Sequence, residues 1–489
     1  MSNLKRMTTF GAMLLALSAC LELSEIPFVA LKADFVADPG LVQLGSPIRF
    51  RQNSTLVAQQ FLWNFGDGNT SQEANPAYTY TATGFYEVKM IATKADGFTK
   101  DSLLRTVLVL PPTETAPNRT SLQNPANDEI GQSFKALNDG LILAGSRDLN
   151  KLRIIRTDFN LNPVWTRIIS NLAGGNGALF CKEIKPTADG GFIMAGHFRY
   201  NPLERDAFVL KLDANGNELW RAVNATSRDE RYNFVEELSD EYIVGGTIAE
   251  INNGQPGPPF IVADIYNQQG VLQFSIQQGN NWQAEDMLFT NDGLFAVAAT
   301  QGRNPKIFLY DSELGDFLGS LPFGPLLLNN FAFEGQAKAL TQLRSGGFAL
   351  VGQADYGGDS THAFIAQISN FGEQVWIDQR AYFHESFEDV GELSDGGLIA
   401  VGIHENPISG KDILVCKYGP LEGTSQQASR TLLGIKLIGR VNQRNDQAFK
   451  LEILDNDNIL LFGSTQNTLS DLQDFYFLRL DRDLNVLSP

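Results

Sequence analysis

Apolar and polar residues alternate in short runs along most of the chain, and turn residues punctuate the runs. Such period-two runs predict half-buried strands. Within residues 120–489 the runs repeat. Asp139-Gly140-Leu141-Ile142-Leu143-Ala144-Gly145 returns as Asp189-Gly190-Gly191-Phe192-Ile193-Met194-Ala195-Gly196, and variants end at Gly246, Ala298, Gly352, Gly402 and Gly463. The copies recur about every 50 residues. A second phrase follows each first one. Its clearest form is Phe208-Val209-Leu210-Lys211-Leu212-Asp213-Ala214-Asn215-Gly216-Asn217-Glu218-Leu219-Trp220. Others are Ile154 to Asp158 leading to Trp165, Phe364 to Ile368 leading to Trp376, and Phe475 to Asp481.

One strand before and one after each of the two turns makes four strands per repeat. Seven such repeats predict an all-β, seven-bladed β-propeller. Antiparallel alternation sends the second-to-third connections and the interblade connections to one face. Those connections vary in length, and variable loops on a rigid scaffold are where binding sits. The expected binding-face loops carry His197, Phe198, Tyr200, Tyr356 and His404. Trp165, Trp220 and Trp376 share one position in their repeats, which predicts packing between blades. The repeats resemble propellers of secreted Bacteroidota proteins that carry DGG-F-I-x-A-G and K-L-D-x-N-G-x-x-W phrases. That resemblance implies a fold and little about ligand.

Residues 32–111 alternate without this repeat. Their centre is Trp63-Asn64-Phe65-Gly66-Asp67-Gly68, followed by Pro76-Ala77-Tyr78-Thr79-Tyr80 and Gly84-Phe85-Tyr86-Glu87-Val88. Trp63 and Phe65 share parity and point to one face. Trp63 reads as core, and Asp67 as a turn cap. The stretch resembles a PKD domain, an immunoglobulin-like sandwich that acts as a spacer or adhesion module. Prolines 111, 112 and 117 then predict an extended linker over 112–119.

The amino terminus adds a further expectation. Lys5 and Arg6 precede a short apolar run, Phe10 to Leu17, and Leu17-Ser18-Ala19-Cys20 follows. The run is too short to span a bilayer as a mature helix. The segment resembles the lipobox of bacterial lipoproteins. That resemblance implies a signal peptide over 1–19, an acylated Cys20 and a tether over 20–31. Leu21, where an Asp would favour retention at the inner membrane, points the expectation toward outer-membrane lipid. Glu22 and Glu25 resemble the acidic surface-export signal of Bacteroidota lipoproteins.

Charge narrows the partners. The formal charge is −18, and losing Lys5 and Arg6 with the leader makes it −18 − 2 = −20. Such a surface repels phosphate backbones, so nucleic acid is not expected as a partner. Cys181 and Cys416, in different repeats, are expected as buried free thiols. All four histidines (His197, His362, His384, His404) are expected in loops and lack metal-ligand spacing, so no metal or cofactor is expected. No G-x-S-x-G, H-E-x-x-H or Walker sequence occurs. Asp286, Glu334 and Glu388 are expected at the mouth of the propeller channel.

Together these readings predict a surface-exposed, non-enzymatic outer-membrane lipoprotein that binds a protein partner of the envelope. Capture of a glycan or peptide for nutrient uptake is the alternative, and a propeller hydrolase or lyase is a third reading.

Overall fold

Every regular element among the described residues is a β-strand. The computed structural model describes residues 30–487 apart from 39–40, 56, 83, 111–113, 116–126, 171–176, 202–203, 225, 280, 312–316, 321–326, 329–330, 333, 356–360, 381–383, 407–409, 424–427, 440–444 and 467–471. The expected anchor Cys20 and the expected contact Tyr356 lie outside these residues. The chain divides into two compact units, Met1–Leu110 and Pro111–Pro489.

The first unit is a sandwich of two sheets. One joins Phe35–Asp38, Ile48–Gln52 and Ala77–Tyr78; the other joins Leu41–Gln43, Lys100–Leu110, Gly84–Lys94, Ala58–Asn64 and Thr70–Ser71. Alternation puts Trp63, Phe65, Val88, Met90 and Ala92 inward, all buried. Trp63 packs edge-on against Phe35, with centroids 5.0 Å apart, and its indole N–H donates to Glu73 O at 2.8 Å. Asp67 closes the turn: its Oδ1 accepts from Asn69 N at 3.0 Å, and its Oδ2 accepts from the Tyr78 hydroxyl at 2.7 Å. The expected roles of both residues therefore hold.

Among the described residues the second unit contains seven successive blade sheets, a β-propeller, and a two-stranded ribbon, Leu327–Leu328 with Phe331–Ala332, between the fourth and the fifth. Six sheets use four consecutive strands each, over 129–169, 178–224, 228–278, 283–320, 334–380 and 385–439. The seventh has three described strands, Asp446–Ile453, Ile459–Gln466 and Gln473–Leu480. A single bridge, Leu480 to Val486, stands where a fourth would run. Sheets 3 and 6 each gain one short extra strand. In sheet 6 it comes from the expected linker: Glu114–Thr115 pairs parallel with Ile438 and Gly439 on the outer strand.

The ring closes by packing. Inner strands of successive blades touch, and that of blade 7 touches that of blade 1. Phe134, Leu143, Phe462, Phe475 and Phe477 fill this last joint. Blades 1 to 3 also lock through their tryptophans. Trp165 donates to Ala214 O at 3.1 Å and Trp220 to Gln268 O at 2.9 Å, each acceptor lying in the next blade's outer turn. Gly216 and Gly270, at φ 76° and 77°, sit under those rings. A Cβ at either place would strike the indole.

Candidate binding channel

The seven inner strands share one irregularity. Each pairs regularly with its neighbour except for one extra residue: Gln132, Lys182, Asn233, Glu285, Lys338, Glu388 and Phe449. Such a bulge re-aims side chains and breaks the alternation of faces. Here all seven bulged residues line one central cavity of about 370 Å³.

The bulge also explains the repeat's last glycine. Gly145, Gly196, Gly246, Gly352, Gly402 and Gly463 each pair with the residue just before the bulge. A Cβ at any of them would collide with a carbonyl oxygen of the inner strand: Ile130, Phe180, Arg231, Gln336, Ser386 or Gln447. In blade 4 the sequence reading ends the phrase at Ala298, but Ala299 is the residue opposite Ala284 and fills this place. The glycine was thus a visible mark of the channel residue 13 or 14 positions upstream.

In four blades the residue after the bulge holds the next blade. Ser133 Oγ accepts from Ile184 N at 3.1 Å, and Glu183 Oε2 from Val235 N at 2.8 Å. Asp286 Oδ2 accepts from Leu340 N at 2.9 Å, and Asp389 Oδ2 from Leu451 N at 2.8 Å. At the closing joint Glu452 Oε2 accepts from Ala136 N at 2.7 Å. Bonds of this kind contribute about 0.5–1.5 kcal/mol each, more to charged acceptors.

Electrostatics follow from enclosure. Burial raises Glu285 and Asp389, and it carries Asp286 up to about 6. Lys182 is exposed to channel water, yet the surrounding protein lowers its pKa, as do Lys338 and Lys450. Burial would lower Lys450 too, but Asp389, Asp286 and Glu183 outweigh it and raise it. Of the three acids expected at the channel, Asp286 and Glu388 line the cavity. Glu334 is exposed and pairs with Arg303 at 3.1 Å.

Four of the expected rim residues lie in strands. His197 and Phe198 belong to the strand Phe192–Asn201 and are buried, as is His404 in Leu398–Asn406. Tyr200 is also in a strand. His362 lies in Thr361–Ile368, and His384 alone of the four is exposed outside a strand. Polarity misled the reading: these ladders run farther out than their composition suggests, because His404 finds a buried partner and His197 stacks on Phe180, with ring centroids 5.0 Å apart. His404 Nδ1 lies 2.7 Å from Glu385 Oε1, which also holds Arg380. Among the described residues no three His, Cys, Asp or Glu stand close enough to hold a metal ion. Cys181 and Cys416 are buried free thiols.

Residues 32–109 match the PKD domain family. The PKD1 domain of the Vibrio cholerae metalloprotease PrtV is 30% identical over 17% of this chain and 98% of its own, with a TM-score of 0.15. The Dos1 propeller is 12% identical, covering 75% of this chain and 94% of its own, with a TM-score of 0.42. Virginiamycin B lyase from Staphylococcus aureus is 9% identical, covering 73% of this chain and 96% of its own, with a TM-score of 0.40. No curated protein matches the chain. The propeller assignment rests on the sheet order itself.

Proposed function

We propose that this protein is a lipid-anchored surface protein of the bacterial outer membrane, acylated at Cys20, whose propeller binds an envelope protein without catalysis. A PKD domain followed by a propeller suits a surface or binding protein. The observation that carries the reading is the construction of the ring. Five of the seven joints between blades are tethered by hydrogen bonds near the channel, while second-to-third connections range from Ile251–Gly257, with its own short strand, to the tight turn at Asp148–Asn150. A stiff ring with unequal loops on one face is a platform for recognition. The order of the chain supports the anchor: lipobox-like segment, PKD domain, propeller.

Two experiments test it. Affinity purification from detergent-solubilised membranes is expected to recover a stoichiometric envelope partner, and recovery of the protein alone would count against the reading. Cys20→Ser is expected to move the protein from the membrane to the soluble fraction; a variant that still sediments without lipid removes the anchor. A second reading, capture of a small ligand, is favoured by the charged channel.

A further inference from the structure

We propose that the propeller channel binds a small zwitterion bearing both a carboxylate and an ammonium group, such as a free amino acid or short peptide. The inference rests on the second, ligand-capturing reading and is independent of any protein partner. A cavity of about 370 Å³ falls at the lower end of the range for small-molecule sites.

Its lining shows which charges are spent and which are open. Lys182, Lys338 and Lys450 line the cavity, and none of their ammonium groups has a hydrogen-bond or ion-pair partner at contact distance among the described residues; Lys450 is nonetheless held electrostatically by Asp389, Asp286 and Glu183, so Lys182 and Lys338 are the more open cations. Each ammonium carries three donors. The acids differ. Asp286 is held by the backbone of the next blade. Glu285 and Glu388 each have one oxygen taken by a neighbour, Gln283 Nε2 at 2.7 Å and Ser386 Oγ at 2.6 Å. The second oxygen of each is left for a ligand.

A bare anion would meet Glu285, Asp286 and Glu388 in the same space, and a bare cation would meet three lysines. A molecule with both charges apart satisfies both sets. Asn233 adds a directional group. Its Nδ2 donates to Ala284 O at 2.8 Å, while its Oδ1 is shielded from water with no partner among the described residues. Phe180 and Phe449 supply apolar wall for a side chain.

The test is calorimetry on the full chain with the free amino acids and their alanyl dipeptides as probes. At least one is expected to bind saturably. Blocking either end, by N-acetylation or C-amidation, is expected to weaken that probe about tenfold or more, the scale of one charged hydrogen bond. Lys182→Gln and Glu388→Gln are expected to do the same. Lys182 has no internal partner to lose, and Gln at 388 still accepts from Ser386, so both variants should keep the native melting transition; Lys338→Gln substitutes for either that does not. No binding at millimolar concentration overturns the proposal. So does binding that survives both blocked ends, or binding untouched by the channel variants. Equal binding of acetate or methylammonium overturns it as well, since one charge would then suffice. Absence of a co-purifying protein bears on the partner reading alone.

Discussion

Glu385→Gln is expected to destabilise the propeller strongly. Glu385 begins the inner strand of blade 6, with its side chain wholly buried. Its Oε2 accepts from Arg380 Nε at 3.0 Å, on the outer strand of blade 5. Its Oε1 lies 2.7 Å from His404 Nδ1. The Arg380 guanidinium is also wholly buried. Neutralising Glu385 leaves that cation uncompensated, which costs about 3–5 kcal/mol. A unit the length of 111–489 unfolds with an entropy of roughly 0.8 kcal/mol/K, so the melting midpoint should fall by about 4–6 °C. Scanning calorimetry reads this directly. The double change Arg380→Met with Glu385→Met should recover most of the loss, because an apolar pair needs no counter-charge.

The same pair gives a pH signature. Burial would raise the Glu385 carboxyl, but Arg380 and His404 outweigh it and hold it below the ordinary carboxylate value. A depressed carboxylate stabilises the fold above the unfolded pKa, about 4.3, and the contribution is lost as pH falls through the folded value. Wild type should therefore lose stability on acidification more steeply than Glu385→Gln. A single variant within about 1 °C of wild type, or a double variant no better than the single, refutes the reasoning.

Other outcomes follow from the same geometry. Asp286, raised to about 6, favours the protonated fold, so stability should decline as pH rises from about 4 to 6. Asp286→Asn should flatten that decline and gain about 1–2 kcal/mol at pH 7.5, as urea titrations across pH would show. Gly270→Ala, at positive φ beneath Trp220, should lower the propeller midpoint by a few degrees, with blue-shifted or altered tryptophan emission. In the Cys20→Ser background, Cys181 and Cys416 should ignore an aromatic disulfide reagent until the protein unfolds; burial pushes the Cys416 thiol up to about 12 and Cys181 upward too. Calcium should leave the PKD melting midpoint within about 1 °C, because Asn69 and Tyr78 already occupy the Asp67 oxygens.

Much of the architecture was legible because its causes are local. Alternation at Trp63, Phe65, Val88 and Met90 specifies the inward face of the sandwich. Asp-Gly and Asn-Gly turns specify where propeller strands reverse, as Gly190 and Gly216 do at φ 79° and 76°. Even blade 7 obeys the rule without a glycine: Asp457 takes φ 59° in its turn and accepts from Ser394 N of blade 6 at 2.7 Å. The rim residues were misplaced because a polar residue looks the same to a composition rule whether water or Glu385 satisfies it. His404 shows that difference.

The sequence by itself determined the number of blades and the order of their main strands, since period-two burial and turn chemistry act within a few residues. It also held the clue to the channel in the recurring glycine that ends each first phrase. Only the tertiary structure decided what that glycine means. A bulge exists between two strands, and the channel exists among seven. Lys182, Asn233, Glu285, Lys338 and Glu388 follow one another about 50 residues apart along the chain, and ring closure alone brings them to one cavity. The charges that meet there, and the partners that spend some and leave others open, depend on contacts between blades, which no local pattern records.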